Sequence, residues 1–255
     1  MGAGVEMFAR YASAPNALGY CGPADTTALA TGTEAEIRDA AREFSGAWPY
    51  LRIMASMTGV TDPLDPRLVE SYWLGGGLGA TLDPAAFLSE LLALIGPLAQ
   101  GYWRHLTPAL SAEASANHSF HVFGVYPWSW LLGRGPAEQP LRILDGCRIS
   151  WARVCDRSPT ELTVRARRLR WDGHRLSLSP NTTRVLDITG YGTRSGIDGL
   201  GAGDHVALHW DHVCGPIDLA RVRTLAATTV RQVNATNRRL TARLDGDRGR
   251  DSAVQ

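Results

Sequence analysis

The stretch Gly203-Asp204-His205-Val206-Ala207-Leu208-His209-Trp210 decides how the second half of the chain is interpreted. A Gly-rich turn signal precedes a short apolar run, which is the pattern of a β-strand. Four more short strands are predicted upstream of it: Leu141 to Val154, Leu162 to Leu169, Arg175 to Leu178 and Thr183 to Ile188. Short strands at close spacing, in a segment this small, favour a closed or nearly closed barrel.

A helix from Leu219 to Leu240, with Asp218 as its N-cap, is predicted to close this module. The polar residues 246–255 are expected to form a flexible tail. The first half is predicted to be helical, because start signals such as Thr33 with Glu36, Asp65-Pro66 and Asp83-Pro84 precede apolar stripes at helical spacing.

The segment from Gly133 to Pro140 is rich in Gly and Pro and is the best boundary between the two parts. The predicted fold class is therefore α+β. We expect a mainly α-helical domain over residues 1–136, and a small OB-like β-barrel with its closing helix over residues 141–240.

The composition excludes several classes of chemistry. All 26 basic residues are arginine, so lysine Schiff bases and phosphate-loop lysines are excluded. A formal charge of +1 gives no general argument for a nucleic acid or membrane partner. No secretion signal and no apolar run of about 18 residues is visible, and the four cysteines form no CxxC pair. We therefore expect a cytoplasmic protein with reduced thiols.

Two stretches of the β-module carry a resemblance. They are the run from Cys147 to Val154 and the run at residues 203–210, the latter followed by Gly215-Pro216-Ile217-Asp218 and a helix. In order, spacing and residue type they are similar to the HypC/HupF-type chaperones of nickel-iron hydrogenase maturation, which are small barrels. The whole chain also resembles an uncharacterised actinobacterial family with the same helical front half.

The chaperone resemblance implies roles for Cys147 and His209. In that family the cysteine and histidine help to hold iron with cyanide and carbonyl ligands, on its way to the hydrogenase large subunit. The chain departs from the family pattern in two places. Cys147 is internal, so a ligand set that uses an N-terminal amine is lost, and Ala152 replaces the glycine that precedes arginine.

Cys147 and His209 are the predicted metal ligands, since a thiolate and an imidazole suit iron or zinc. The alternative is that Cys147 packs as a small apolar residue. Asp211 is predicted to share a strand face with His209 and to act as its partner at a bound cofactor. The alternative for Asp211 is that it starts a turn.

The helical half offers a second set of groups. Cys21 lies between glycines and before a proline, where a following helix start would lower the thiol pKa. His118 and His121 are three residues apart, on one helical face. Together the three would suffice for a thiol–imidazole site, either catalytic or metal-binding. The alternatives are a packed cysteine in a tight turn and a chance spacing of the histidines.

Three functions follow from these patterns. The first is an accessory or chaperone protein of hydrogenase maturation that binds iron or a maturation partner through Cys147 and His209. The second is an enzyme of unknown reaction that uses Cys21, His118 and His121. The third is a protein-binding scaffold without chemistry.

Overall fold

A computed structural model of the chain describes residues 1–96, 105–189 and 196–252, with side chains up to residue 243. The first part is helical, as predicted. Its α-helices are α1 Ala3–Ala17, α2 Thr27–Thr31, α3 Glu34–Arg42, α4 Ala47–Thr58, α5 Pro66–Leu74, α6 Pro84–Ile95, α7 His118–Phe120, α8 Trp128–Leu131 and α9 Glu138–Cys147. Two 3₁₀ turns, Gly77–Thr81 and Pro108–Ala112, and one π-helical turn, His121–Val125, complete it.

The predicted helix starts are confirmed by side-chain caps. Thr33 and Glu36 form a reciprocal capping box at α3. Asp65 accepts a hydrogen bond from the Arg67 amide at the start of α5, and Asp83 caps α6 in the same way. Each of these caps satisfies amides that the first turn of a helix leaves without partners.

In the second half, the described residues form seven strands: β1 Ser150–Arg157, β2 Glu161–Ala166, β3 Leu169–Trp171, β4 Leu176–Leu178, β5 Thr182–Asp187, β6 His205–His209 and β7 His212–Pro216. Five of them form an antiparallel sheet in the order β5-β2-β1-β6-β7, and β3 pairs with β4 in a separate ribbon. The predicted closed barrel is wrong, because both sheets are open. Closure would require β5 to pair with β7, but β7 contacts helix α1 instead.

The predicted strand from Leu141 to Val154 is also wrong over its first half. Residues 138–147 form helix α9, and the strand begins only at Ser150. The buried positions Ile143, Leu144 and Cys147 of α9 lie at helical spacing. Cys147 is therefore the last residue of a helix and does not lie in a barrel strand.

The sheet has two covered faces, and the strand β6 shows how they divide. Val206 and Leu208 point into a small core of the sheet itself, whereas Ala207 between them joins the core of the helical half. Because side chains alternate across a strand, His209 lies on the same face as Ala207 and points toward the helices. The main core therefore includes residues from both predicted domains.

The C-terminal helix α10 spans Leu219–Ser252 and is longer than predicted. It includes most of the expected tail, of which residues 253–255 lie outside the described residues. In the described part of the chain, no helix is long and apolar enough to cross a membrane. Several polar contacts hold α10. Among them, Arg239 pairs with Glu113, and the Asn237 amide bonds both the N–H and the C=O of Leu176.

We expect Asn237→Ala to lower the free energy of unfolding by about 1–3 kcal/mol, because it leaves two buried backbone groups of β4 without partners. Urea unfolding measures the change. Asn234→Ala is the matched control, since Asn234 is exposed on the same helix and should change stability by less than about 0.5 kcal/mol. Equal effects of the two substitutions would show that Asn237 does not anchor α10.

Candidate functional site

Three buried side chains meet where the helices contact the sheet. One potential ligand atom from each of His118, Cys147 and His209 lies within 4.8 Å of the other two. Their residues are 4%, 6% and 1% exposed. They come from α7, from the end of α9 and from the end of β6. The fold thus joins the two predicted metal ligands to a histidine that the sequence assigned to the other site.

Local structure holds each of the three in place. His118 opens α7, whose first turn is capped by the Asn117 side chain. Cys147 precedes Arg148, which is buried and paired with Asp145. His209 ends β6 and faces His212 across a two-residue turn.

Hydrogen bonds fix the tautomers of both histidines. Nδ1 of His209 lies 2.7 Å from the Tyr11 carbonyl, and Nε2 of His118 lies 2.9 Å from the Cys147 carbonyl. A carbonyl oxygen only accepts, so these nitrogens carry the protons. The lone pair of His209 is then at Nε2, which has no hydrogen-bond partner among the described residues. The lone pair of His118 is at Nδ1, which accepts from the Tyr72 hydroxyl at 3.0 Å.

Burial keeps the cluster uncharged. It lowers the pKa of His209 to about 4 and lowers the pKa of His118 well below its usual value. Burial also raises the pKa of the Cys147 thiol above its ordinary value. At neutral pH the three groups are therefore two imidazoles and one thiol.

A small cavity of about 20 Å³ lies at this cluster, a volume that suits one water-sized group. The three predicted catalytic residues and the two predicted metal ligands all line it: Cys21, His118 and His121, and Cys147 and His209. The two alternative sites of the sequence therefore share one location. Tyr72 and Tyr126 also line the cavity, and sequence reasoning missed both. For Tyr72 the only signal was its neighbour Trp73, an aromatic pair that is typical of core packing.

His121 lies beside the cluster of His118, Cys147 and His209 without belonging to it. Its ring centroid is 5.8 Å from that of His118, and it begins the π-helical turn. Such turns are rare and are frequent at functional sites. Burial lowers the pKa of His121 to about 3, and its Nδ1 has no hydrogen-bond partner among the described residues.

Cys21 lies in a loop that its neighbours hold closed. The Asn16 side chain donates to the carbonyls of Cys21 and Pro23, and Gly22 has a φ of +86°. The predicted lowering of the thiol pKa by a helix start is wrong. Helix α2 begins only at Thr27, and burial raises the pKa of Cys21 to about 12.

The turn after His209 is strained. Trp210 and Asp211 have φ values of 53° and 64°, the left-handed region that few residues other than glycine and asparagine adopt. The Trp210 ring stacks on Tyr20 at 4.2 Å, and a Cβ on Gly146 would lie 2.5 Å from that ring. Strain of this kind persists only where surrounding contacts impose it, and it is common at functional sites.

Asp211 does not share a strand face with His209, so that prediction is wrong. It lies in the turn, where its carboxylate pairs with Arg168 at 2.8 Å and with Arg184 at 2.5 Å. Because the turn places Asp211 after the end of the strand, strand alternation does not apply to it. The structure supports the turn alternative and gives Asp211 a role in fixing the hairpin.

The fold and the site define an α+β protein with a buried cluster of two histidines and one cysteine. The chain matches the model of DUF6390, a family of unknown function, over residues 1–243, and it belongs to that family. No curated protein and no solved structure matches it. Membership of an uncharacterised family is thus confirmed, whereas the resemblance of residues 141–240 to the HypC/HupF-type chaperones is not supported.

We expect Asp211→Asn to lower the free energy of unfolding by about 1 kcal/mol, since the ion pairs are partly exposed and asparagine tolerates the left-handed backbone. It should not change metal binding. Urea unfolding and metal analysis of the same variant measure both effects. A loss of bound metal with unchanged stability would instead make Asp211 part of the site.

Acid should destabilise the metal-free chain. The folded pKa values of His209 and His121, about 4 and about 3, lie below the unfolded value of 6.5. Below pH 6.5 the unfolded chain therefore binds protons that the folded chain does not, and the free energy of unfolding decreases as the pH is lowered. The expected slope is about 1.4 kcal/mol per pH unit for each histidine.

Urea unfolding between pH 7.5 and pH 5 measures this slope. His121→Gln should reduce the slope by about 1.4 kcal/mol per pH unit, which corresponds to the uptake of one proton fewer on unfolding. His174→Gln should leave it unchanged, because His174 is exposed. A wild-type stability that is flat over this range would contradict the buried, neutral state of the histidines.

Proposed function

We propose that this protein binds a transition-metal ion, Zn²⁺ or Fe²⁺, through His118, Cys147 and His209. The observation that carries the proposal is the meeting of three ligand atoms within 4.8 Å in a buried cavity. Both histidines donate their other N–H to a backbone carbonyl, which is the usual arrangement around metal-bound imidazoles. Nitrogen and sulfur donors select zinc, iron and similar ions over calcium or magnesium.

The three ligand atoms, now within 4.8 Å of one another, would have to move closer together to bind the ion. Zinc–sulfur bonds of about 2.3 Å and zinc–nitrogen bonds of about 2.0–2.1 Å in a tetrahedron place ligand atoms about 3.3–3.6 Å apart. The lone pair of His118 Nδ1 would leave the Tyr72 hydroxyl for the metal. The Cys147 thiol would lose its proton on binding, because a bound cation lowers the pKa of a coordinating thiol.

Three protein ligands leave a fourth position open, as in catalytic zinc sites. The size of the cavity supports one water-sized ligand at that position. Iron with several diatomic ligands needs more room than about 20 Å³ gives it. The roles in hydrogenase maturation, the hydrogenase partners and the cytoplasmic location stay predictions.

A thiol–imidazole enzyme is the second candidate. It is supported by the shared location of Cys21, His118 and His121 around one cavity. We rank it second because a pKa of about 12 keeps the Cys21 thiol protonated at neutral pH, whereas the nucleophile in such enzymes is the thiolate.

Metal analysis tests the proposal. The protein, purified without oxygen and reconstituted with Zn²⁺, Fe²⁺ or Co²⁺, should hold about one ion per chain. The cobalt form should show thiolate-to-metal charge-transfer absorption. Cys147→Ala and His209→Gln should each weaken binding by more than about 100-fold, since each removes a direct ligand.

Cys214→Ala is the matched control, because Cys214 is an equally buried free thiol that does not line the cavity. It should keep the metal, and Cys21→Ala should keep it too. Binding that is substoichiometric in the wild-type chain, or unaffected by Cys147→Ala, would contradict the proposal. Rapid alkylation of Cys21 at neutral pH would favour the thiol–imidazole enzyme.

A further inference from the structure

A second, larger pocket opens beside the buried cavity. Its volume is about 520 Å³, within the range of small-molecule sites. The wall is mainly apolar and includes Phe44, Trp48, Leu94 and Val125. Four residues, among them Gly46 and His121, line both this pocket and the small cavity. The larger pocket therefore reaches His121, whose side chain also lines the small cavity at the Cys/His cluster.

Two residues of the pocket wall carry buried polar atoms without partners among the described residues. The Tyr50 hydroxyl and His121 Nδ1 are both buried and make no hydrogen bond among the described residues. Their residues are 1% and 4% exposed, and their rings meet edge to face with centroids 5.5 Å apart. Buried polar groups without partners are costly, so this pair points to a ligand that supplies the missing bonds.

The charge around these two groups defines which ligand fits. Burial raises the pKa of Tyr50, so its hydroxyl is neutral. No charged side chain pairs with Tyr50 or His121 in the described part of the chain. A buried anion would find no compensating charge from either group. The arginines of the pocket, Arg42 and Arg52, are exposed, and Arg42 already pairs with Asp39. A neutral carbonyl or hydroxyl oxygen suits these two groups, with an apolar body against the wall.

We propose that this pocket binds a small, uncharged molecule with one or two apolar rings, whose carbonyl or hydroxyl oxygen accepts a hydrogen bond from Tyr50 and lies beside His121. A ligand hydroxyl would also donate to the imidazole when Nδ1 is its unprotonated nitrogen. The site does not need the metal. If the metal is also bound, the ligand oxygen would lie next to His121, on the pocket side of the His118, Cys147 and His209 cluster.

Three naphthalene derivatives of one shape test the proposal on the metal-free chain. They are 2-acetylnaphthalene, 2-ethylnaphthalene, which lacks the oxygen, and 2-naphthoate, which is charged. Ligand-observed NMR titration measures each dissociation constant. The ketone should bind about tenfold more tightly than the hydrocarbon, because it satisfies the Tyr50 hydroxyl. The carboxylate should bind least tightly.

Tyr50→Phe removes the hydroxyl and keeps the ring. It should abolish the preference for the ketone and leave the affinity for 2-ethylnaphthalene unchanged. Ser45→Trp should weaken both ligands at least tenfold, because Ser45 lines the pocket from an exposed position and the larger ring fills it without disturbing the core. Thermal unfolding confirms that both variants fold.

Three results would overturn the proposal: no binding of any of the probes, tightest binding of 2-naphthoate, or a ketone preference that survives Tyr50→Phe. The second result would assign recognition to the rim arginines. Repeating the titration with a reconstituted chain separates this site from the metal site. Ketone binding without metal uptake supports the pocket alone, and metal uptake without ketone binding supports the cluster alone.

Discussion

The hydrogen bond from His209 Nδ1 to the Tyr11 carbonyl joins the first helix to the end of β6, 198 residues later in the chain. Much of the site depends on this contact. It fixes the tautomer of His209, holds β6 against α1 and directs the free nitrogen into the interface between helices and sheet. An exposed histidine would not need a defined tautomer, but a fully buried one must place its single proton on an acceptor.

The structure around His209 has two energetically unfavourable features that packing alone does not explain. Its Nε2 and His121 Nδ1 are buried without partners among the described residues, and Trp210 and Asp211 hold left-handed backbone angles. An apolar side chain at 209 would avoid the first cost, and a glycine at 210 would relieve the second. A ligand bound to these nitrogens, as we propose, would account for the first cost. The strained turn accounts for the direction of His209, because it ends the strand at that residue.

The parts of the fold that depend on local chemistry could be predicted from the sequence. The capping box at Thr33 and the Asp-Pro start at Asp65 each act within one turn of helix, so they are visible in a few residues. Helix α9 was missed because Leu141 to Val154 contains a helical and a strand segment in one apolar run, and period alone does not separate them. Whether the sheet closes depends on α1, which lies far away in the chain.

The individual site residues were predicted from the sequence, but it was not predicted that they all lie at one location. Cys147 with His209, and Cys21 with His118 and His121, were two competing hypotheses, since no local pattern shows that distant segments meet. Tyr72 and Tyr11 were not predicted at all. Tyr72 acts through its hydroxyl and Tyr11 through its backbone carbonyl, and a backbone carbonyl carries no residue-type signal.

Charge balance narrows what the open metal position would hold. A divalent ion with one thiolate leaves a net charge of +1 in a buried site, and no Asp or Glu lines the cavity in the part of the chain that the structure describes. An uncompensated buried charge is costly, so an anionic fourth ligand is favoured. Hydroxide from a bound water would supply it, because the ion would lower the pKa of that water. Because the protein groups around the cavity are neutral, a bound metal would itself have to generate the compensating anion, beside the pocket that we propose for an uncharged ligand.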